Sequence, residues 1–554
     1  TVSFNSNGGS ACESFTGQVW TAVPVPTPTK DGHTFAGWFT DEACTKPWTQ
    51  TVVPAKNLTV YAKWTEQGAE DKYKTDREKA LKQLDAAFAR LNKSDYAESN
   101  WEKVTLEYNN GKYQISVAQP KPASESESEI NAAVNETIYA ALNTAINRMN
   151  DVPMRNIPDV IVAVSMDAQT LGLGYIIKPT LVTVPKNTRA SKVITDELLI
   201  ALQQSFGDEY ELVAAGTSGA STSNAPYAAW QMTGAIDNSF YLSQVFFPAQ
   251  QNATIAEYIV KAIKATDDSL NESAIQQDRE DTYLGEFDYY GMSGWMYSVA
   301  GTTTAEDGTR TTTSITFPGV GASGWGMRDG EVMRWQFTVY GYGSDLNADN
   351  SAWGESSITG SAGDKTVLTY KIAELREQYK ISYGSYRAGD DELECSETYV
   401  RIFEQVLQDP LATQTAIDQA IKDLDRVSEE LELRKLKQEF SQALGGPITT
   451  IDEASRARLA AARSYYDSLT EAQQKLLAEA YPALYRQLAD GEAAASVVDL
   501  IDAIPDEITK DSGAAIKAAR DAYNALNDAV KALVPAETLK KLTDAEAKYA
   551  DITR

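Results

Sequence analysis

Eight aromatic residues crowd one stretch that could carry recognition chemistry: Tyr289, Tyr290, Trp295, Tyr297, Trp325, Trp335, Tyr340 and Tyr342. Aromatic faces stack on sugars, on corrin-like rings and on protein side chains. Strand alternation sends about half of any such set into a core. The ligand-contact candidates are Tyr289, Tyr290, Trp295, Tyr297 and Trp325. Tyr290 and Trp325, beside Gly and Ser in turn-like contexts, are the two expected to be exposed.

A second group is acidic. Asp345-Leu346-Asn347-Ala348-Asp349-Asn350 puts oxygen ligands at alternate positions, as the start of a calcium loop does. Asn350 takes the place of the usual glycine and can also adopt a left-handed turn. Ser356 stands where a bidentate glutamate is expected, and Glu355 comes one place early. The candidate ligands are Asp345, Asn347, Asp349 and Glu355, and calcium is the ion they would hold. A plain solvated loop is the competing reading.

Catalytic residue types are scarce. The chain has one histidine, His33, in Asp31-Gly32-His33-Thr34, which reads as a turn entering a strand. A Ser-His-Asp or Cys-His centre would have to use it. Gly319-Val320-Gly321-Ala322-Ser323-Gly324 has the spacing of a dinucleotide loop. Such a loop must open a helix, and Trp325-Gly326-Met327-Arg328-Asp329-Gly330 reads as more loop. No enzyme is expected. A pair of carboxylates is the one catalytic device that composition leaves open.

The formal charge of −28 excludes nucleic acid and anionic lipid as main partners, since both need a basic face. It suits an extracellular protein at a cell surface or in a cell wall. No apolar run is long enough to span a membrane, so no membrane insertion is expected. Three cysteines exclude a disulfide-built fold, and Cys12 and Cys44 are either one bridge or two free thiols. Thr1 to Phe4 already reads as a strand with no export signal before it, so the sequence is expected to come from inside a longer parent.

The elements that must position these residues form a multidomain α+β chain. Residues 1–66 alternate short β-runs with Gly, Pro and Asn turns, and Trp38 and Trp64 supply the core of so small a segment. Phe4-Asn5-Ser6-Asn7-Gly8-Gly9, the run Pro28 to Asp41 with Gly37-Trp38-Phe39, and Tyr61-Ala62-Lys63-Trp64-Thr65 resemble the internalin-type B repeat, or Listeria–Bacteroides repeat. That resemblance implies a small β-grasp-like module of bacterial surface proteins, serving as a stalk or adhesion unit. Residues 67–153 change to a helical period, with Leu81, Leu84, Phe88 and Leu91 on one face and Ile130, Val134, Ile138, Leu142 and Ile146 on another. Three helices are expected, similar to the helical spacer modules of surface proteins.

Residues 154–369 return to strands at 159–166, 175–185, 291–299 and 330–343, with helices at 191–206 and 254–265. In the last strand Val332, Arg334, Gln336 and Thr338 alternate with Met333, Trp335, Phe337 and Val339, the period of a strand with one buried face. Tyr283-Leu284-Gly285-Glu286-Phe287, Ser293-Gly294-Trp295-Met296-Tyr297-Ser298-Val299, Arg328-Asp329-Gly330-Glu331-Val332 and Trp335-Gln336-Phe337 resemble the transcobalamin C-terminal-like domain. The chain departs from it in a Thr-rich insertion between Gly301 and Ser323, and in Glu331 where Asp is usual.

Residues 370–432 are helical, and 433–493 and 494–554 form two further helical repeats. Ala461-Ala462-Arg463-Ser464-Tyr465-Tyr466-Asp467-Ser468-Leu469 matches Ala518-Ala519-Arg520-Asp521-Ala522-Tyr523-Asn524-Ala525-Leu526. Together these features lead us to expect a surface adhesin or host-interaction protein. Its central domain would recognise a host protein or glycan, and its helices would set distance. The alternatives are capture of a corrinoid or other small molecule, and a structural stalk with no ligand.

Overall fold

A computed structural model describes residues 1–66, 72–194, 212–215, 241–247, 253–266, 283–318, 321–348, 357–379 and 392–554. The chain divides into two compact units, Thr1–Glu394 with Tyr399–Lys422, and Cys395–Thr398 with Asp423–Arg554. Strands and helices share the first unit, and the described elements of the second are helical, so the protein is a multidomain α+β chain.

The first unit opens with a three-stranded sheet. β1 (Val2–Asn5) pairs parallel with β3 (Leu58–Glu66), and β2 (His33–Phe39) pairs antiparallel with β3 on its other side. Trp38 is fully buried between the edges of Phe4 and Phe35, and its indole N–H donates to the Pro26 carbonyl at 2.8 Å. His33 starts β2 in an exposed position, its Nδ1 2.9 Å from the Asp31 carbonyl, as a turn residue should be. Cys12 and Cys44 are both free thiols.

Helices α1 (Lys74–Ala89), α2 (Glu98–Val117), α3 (Glu127–Val134) and α4 (Ala140–Asp151) follow, α3 joined to α4 by one π-helical turn. Leu84, Val104, Ile138 and Leu142 are fully buried between them. Gly111 lets α2 and α4 approach closely, because a Cβ there would lie 2.4 Å from that of Ala145.

The central sheet has five strands: β4 (Asp159–Asp167), β5 (Tyr175–Pro185), β9 (Gly294–Thr304), β10 (Arg310–Thr316) and β11 (Val332–Thr338). Their order is β10-β9-β11-β4-β5. A smaller sheet joins β6 (Leu212–Ala215), β7 (Tyr241–Phe246) and β8 (Tyr283–Gly285). The Thr-rich insertion is not a loose link. Its first part ends β9, and Arg310–Thr316 returns as β10, folded back on β9 as an edge hairpin. The expected helix at 254–265 runs from Glu257 to Thr266, whereas 195–206 of the other expected helix lie outside the described residues.

One expectation for β11 is corrected. The alternation predicts one buried face, yet six of its seven residues are buried and Arg334 is half-buried. Met333, Trp335 and Phe337 face the main core with Val160, Val162, Val164 and Met166. On the opposite face Val332 packs with Ala163 against Tyr370 and Ala373 of the helix Thr366–Gln378. A central strand between two covered faces loses the contrast that alternation depends on.

The second unit packs its helices around Leu477, Leu488, Ala494, Ile501 and Leu542. Capping boxes at Asp452 with Ser455 and Thr470 with Gln473 start two of them, and Pro482 starts a third. The internal repeat has a structural counterpart. Arg463 forks onto Glu492 at 2.7 and 2.6 Å, and Arg520 forks onto Glu546 at 2.5 and 2.6 Å. Each guanidinium also lies over a tyrosine three residues on, Tyr466 or Tyr523, at 5.5 Å.

Candidate ligand site

Strand register sorts the aromatic candidates. Trp335 pairs with Tyr297 and Phe337 with Trp295, so all four rings point into the main core. Tyr297 stacks on Trp335 at 5.2 Å and Trp295 meets Phe337 edge-on at 5.3 Å. The Trp295 indole donates to the Leu284 carbonyl at 2.9 Å. Tyr289 is buried in a left-handed backbone position, and Tyr290 is half-buried, 6.1 Å from Tyr340.

Trp325, expected to be exposed, is buried. The Arg90 guanidinium lies 3.8 Å over its ring, held there by hydrogen bonds to Glu331 and to the Gly326 carbonyl. An arginine 235 positions away in sequence covers the ring, which local turn composition could not reveal. Of the ligand-contact candidates, Tyr289, Trp295, Tyr297 and Trp325 are thus buried in the core, and Tyr290 is half-buried.

The acidic set also separates. Asp345 is buried, and its carboxylate accepts from Thr338 Oγ1 at 2.6 Å and from the Val339 and Tyr340 amides at 2.7 and 3.1 Å. Both oxygens are turned to the chain itself, to close the turn after β11. Asn347 is exposed, and its Oδ1 accepts from Ser357 Oγ at 3.0 Å. Asp349 and Glu355 lie outside the described residues. Among the described residues no three His, Cys, Asp or Glu side chains gather as metal ligands.

What the fold does gather is polar and cationic, on the second face of the central sheet. Arg334 and Gln336 of β11 lie beside Ser298 of β9 and Ser165 and Asp167 of β4. Of these, Arg334, Gln336 and Ser298 floor a cavity of about 390 Å³, within the range of small-molecule sites. Lys79 and Lys82 of α1 form one wall. Gly363, Asp364, Lys365 and Thr366, at the start of the helix Thr366–Gln378, form another. Gln83, Asn347 and Thr316 add to its polar lining.

Its electrostatics are unusual for this chain. Three cations (Lys79, Lys82 and Arg334) and the buried amine of Lys365 line the cavity against one carboxylate, Asp364. Asp364 Oδ1 is already engaged by the Thr366 amide at 2.8 Å. The positive end of the helix dipole adds to the same field. Lys365 is 5% exposed and donates to the Leu407 and Asp409 carbonyls, with Gln169 Oε1 at 3.5 Å. Burial, with the neighbouring Arg334 charge, lowers its pKa. Burial raises that of Asp167, against the pull of Arg334 at 3.9 Å. Groups so desolvated beside a cavity are typical of binding sites.

The sequence held one faint sign of this place, the polar pair Arg334 and Gln336 within an otherwise apolar strand. Lys79, Lys82 and Lys365 carried none, because they are nearly 300 positions apart and meet only through the fold.

Comparison with known proteins finds one family and two relatives. Residues 1–63 match the Listeria-Bacteroides repeat domain. Over 94 residues the chain is 35% identical to a protein of Evansella cellulosilytica named "Putative Gly-rich membrane protein", covering 16% of this chain and 11% of that one. Over 67 residues it is 42% identical to a "Putative membrane protein" of the same organism, covering 12% of this chain and 10% of that one. The chain thus spans about a tenth of the length of these relatives. No solved structure matches it significantly. Among the described residues no helix is long and apolar enough to cross a membrane. Residues 1–63 of this chain thus form a Listeria-Bacteroides repeat domain.

Proposed function

We propose that the protein is a surface adhesin or host-interaction protein that acts by binding, not by catalysis. Its central sheet holds an anionic group (a carboxylate, sulfate or phosphate) of a host glycan or protein ligand. The helical second unit serves as a spacer. The observation that carries this reading is the cationic cavity: the positive side chains of Lys79, Lys82 and Arg334 converge on one site in a chain whose net charge is −28. Such a field attracts and orients an acidic ligand against the repulsion of the rest of the surface. Corrinoid capture has weaker support, since the aromatic residues that would flank a flat ring are packed in the core.

The test is calorimetric titration of the full chain with acidic oligosaccharides and their neutral counterparts. Acidic forms should bind, and binding should weaken with added salt. The double variant Lys79→Ala, Lys82→Ala leaves the buried network intact and should lose about tenfold or more in affinity, the worth of one modest charge contact. Equal binding by the variant, or no preference for acidic ligands, would remove the cavity from the function.

A further inference from the structure

The N-terminal repeat presents a second and chemically different surface. Trp20 is 73% exposed, and Val19 beside it 46%. Trp20 sits at φ 70, a left-handed position that side chains other than Gly, Asn and Asp rarely take. Its placement is nevertheless fixed. The Trp20 amide donates to the Val53 carbonyl at 2.8 Å, the Val53 amide returns to Thr21 at 2.8 Å, and the Thr21 amide closes a turn onto Gln18 at 3.0 Å. A large apolar ring is therefore held outward on a rigid turn instead of folding into the small core nearby.

Beside it runs a groove of about 640 Å³, bounded by the repeat on one side and by α2 and α4 on the other. Its polar lining is balanced. Lys103 and Arg148 share the lining with Glu107 and Asp151, Gln50 and Thr21 are also in it, and Asp151 is further engaged by Arg189 at 2.5 Å. Glu107 and Arg148 lie 3.8 Å apart, and burial holds the Glu107 carboxyl above its ordinary range. Paired donors and acceptors with no net charge suit hydroxyl groups, each of which both donates and accepts. The flat indole suits the apolar face of a pyranose ring.

We infer that this groove is a binding site for a neutral saccharide, stacked on Trp20 with its hydroxyls on Glu107, Arg148 and Asp151. The site is separate from the cationic cavity and takes a different class of ligand. It gives the repeat a recognition role of its own.

The decisive experiment titrates the full chain with neutral oligosaccharides (β-glucan, mannan, xylan and galactan fragments) and follows heat and thermal stability. Wild type should bind at least one of them, with little dependence on salt. Trp20→Gly should lose about tenfold or more in affinity, as removal of an aromatic anchor does. Its melting temperature should hold or rise, because glycine accepts the left-handed backbone without strain. Glu107→Gln should also weaken binding while leaving the turn untouched. Three outcomes would overturn the proposal: no neutral saccharide binds, Trp20→Gly binds as tightly as wild type, or Trp20→Gly dissociates a self-associated chain without changing saccharide binding. The double lysine variant of the central cavity should bind neutral saccharides normally, which keeps failure at one site distinct from failure at the other.

Discussion

Replacing Asp345 by alanine should cost the first unit about 2–4 kcal/mol at neutral pH, among the largest effects of any single polar change in the central sheet. The carboxylate is 1% exposed and closes the turn after β11 by accepting three hydrogen bonds, from Thr338, Val339 and Tyr340. The turn needs this closure because Tyr342 and Gly343 follow in left-handed conformations, at φ 50 and 101. Alanine leaves two buried amides without an acceptor. Asparagine keeps one oxygen for those amides and should cost less. Chemical denaturation of the full chain measures the difference, and a loss under about 1 kcal/mol would show that the turn closes without the carboxylate.

The same residue should impose a pH dependence. Burial pushes its pKa up to about 6, from the ordinary 3.8, despite the three donors. The folded chain then holds this proton more tightly than the unfolded chain does. Stability from this group is fully present below the unfolded value and falls as pH rises through about 4 to 6. The amplitude is roughly 3 kcal/mol. Asp345→Asn should remove that component, read as the difference between the two stability–pH curves. Parallel curves would mean that the carboxylate titrates as an ordinary one.

The second large effect concerns the seat of the repeat on α2. Gly37→Ala should destabilise that contact by about 2–4 kcal/mol, from backbone strain and overpacking together. Gly37 sits at a β-bulge of β2 with φ 107, a conformation that side chains rarely adopt. A Cβ there would also lie 2.3 Å from Val117 Cγ1 and 2.8 Å from its Cβ. Around it the Trp38 amide donates to the Tyr113 hydroxyl at 2.5 Å, and Gln114 Nε2 donates to Thr51 Oγ1 at 2.8 Å. Burial carries the Tyr113 hydroxyl far above the usual phenol range, so it stays protonated. Tyr113→Phe loses one hydrogen bond and should cost only about 1 kcal/mol. Hydrogen exchange at β2 and α2 reads both changes. Unchanged protection in Gly37→Ala would mean that the repeat does not depend on this seat.

The residues that sequence placed well are those whose partners are near in the chain. The turns and strands around Trp38, the helical stripe through Leu84, and the matched Arg463 and Arg520 segments all follow from local period and composition. A helix or hairpin repeats its own pattern every few residues, and that pattern survives in the linear text. Strand β11 was visible for the same reason, though what covered its second face was not.

Sequence by itself determined the α+β class, the repeat at the N-terminus, the helical character of the other end and the acidic balance. Only the tertiary structure decided which side chains line a cavity and which are packed in the core. Register turned Trp295 and Tyr297 inward, Arg90 closed over Trp325, and Asp345 was spent on its own turn. The same packing brought Lys79, Lys82, Arg334 and Lys365 to one cavity and left Trp20 outside the core. The physical reason is that a site is a meeting of distant residues, fixed by strand register and helix docking, and neither leaves a periodic trace in the chain.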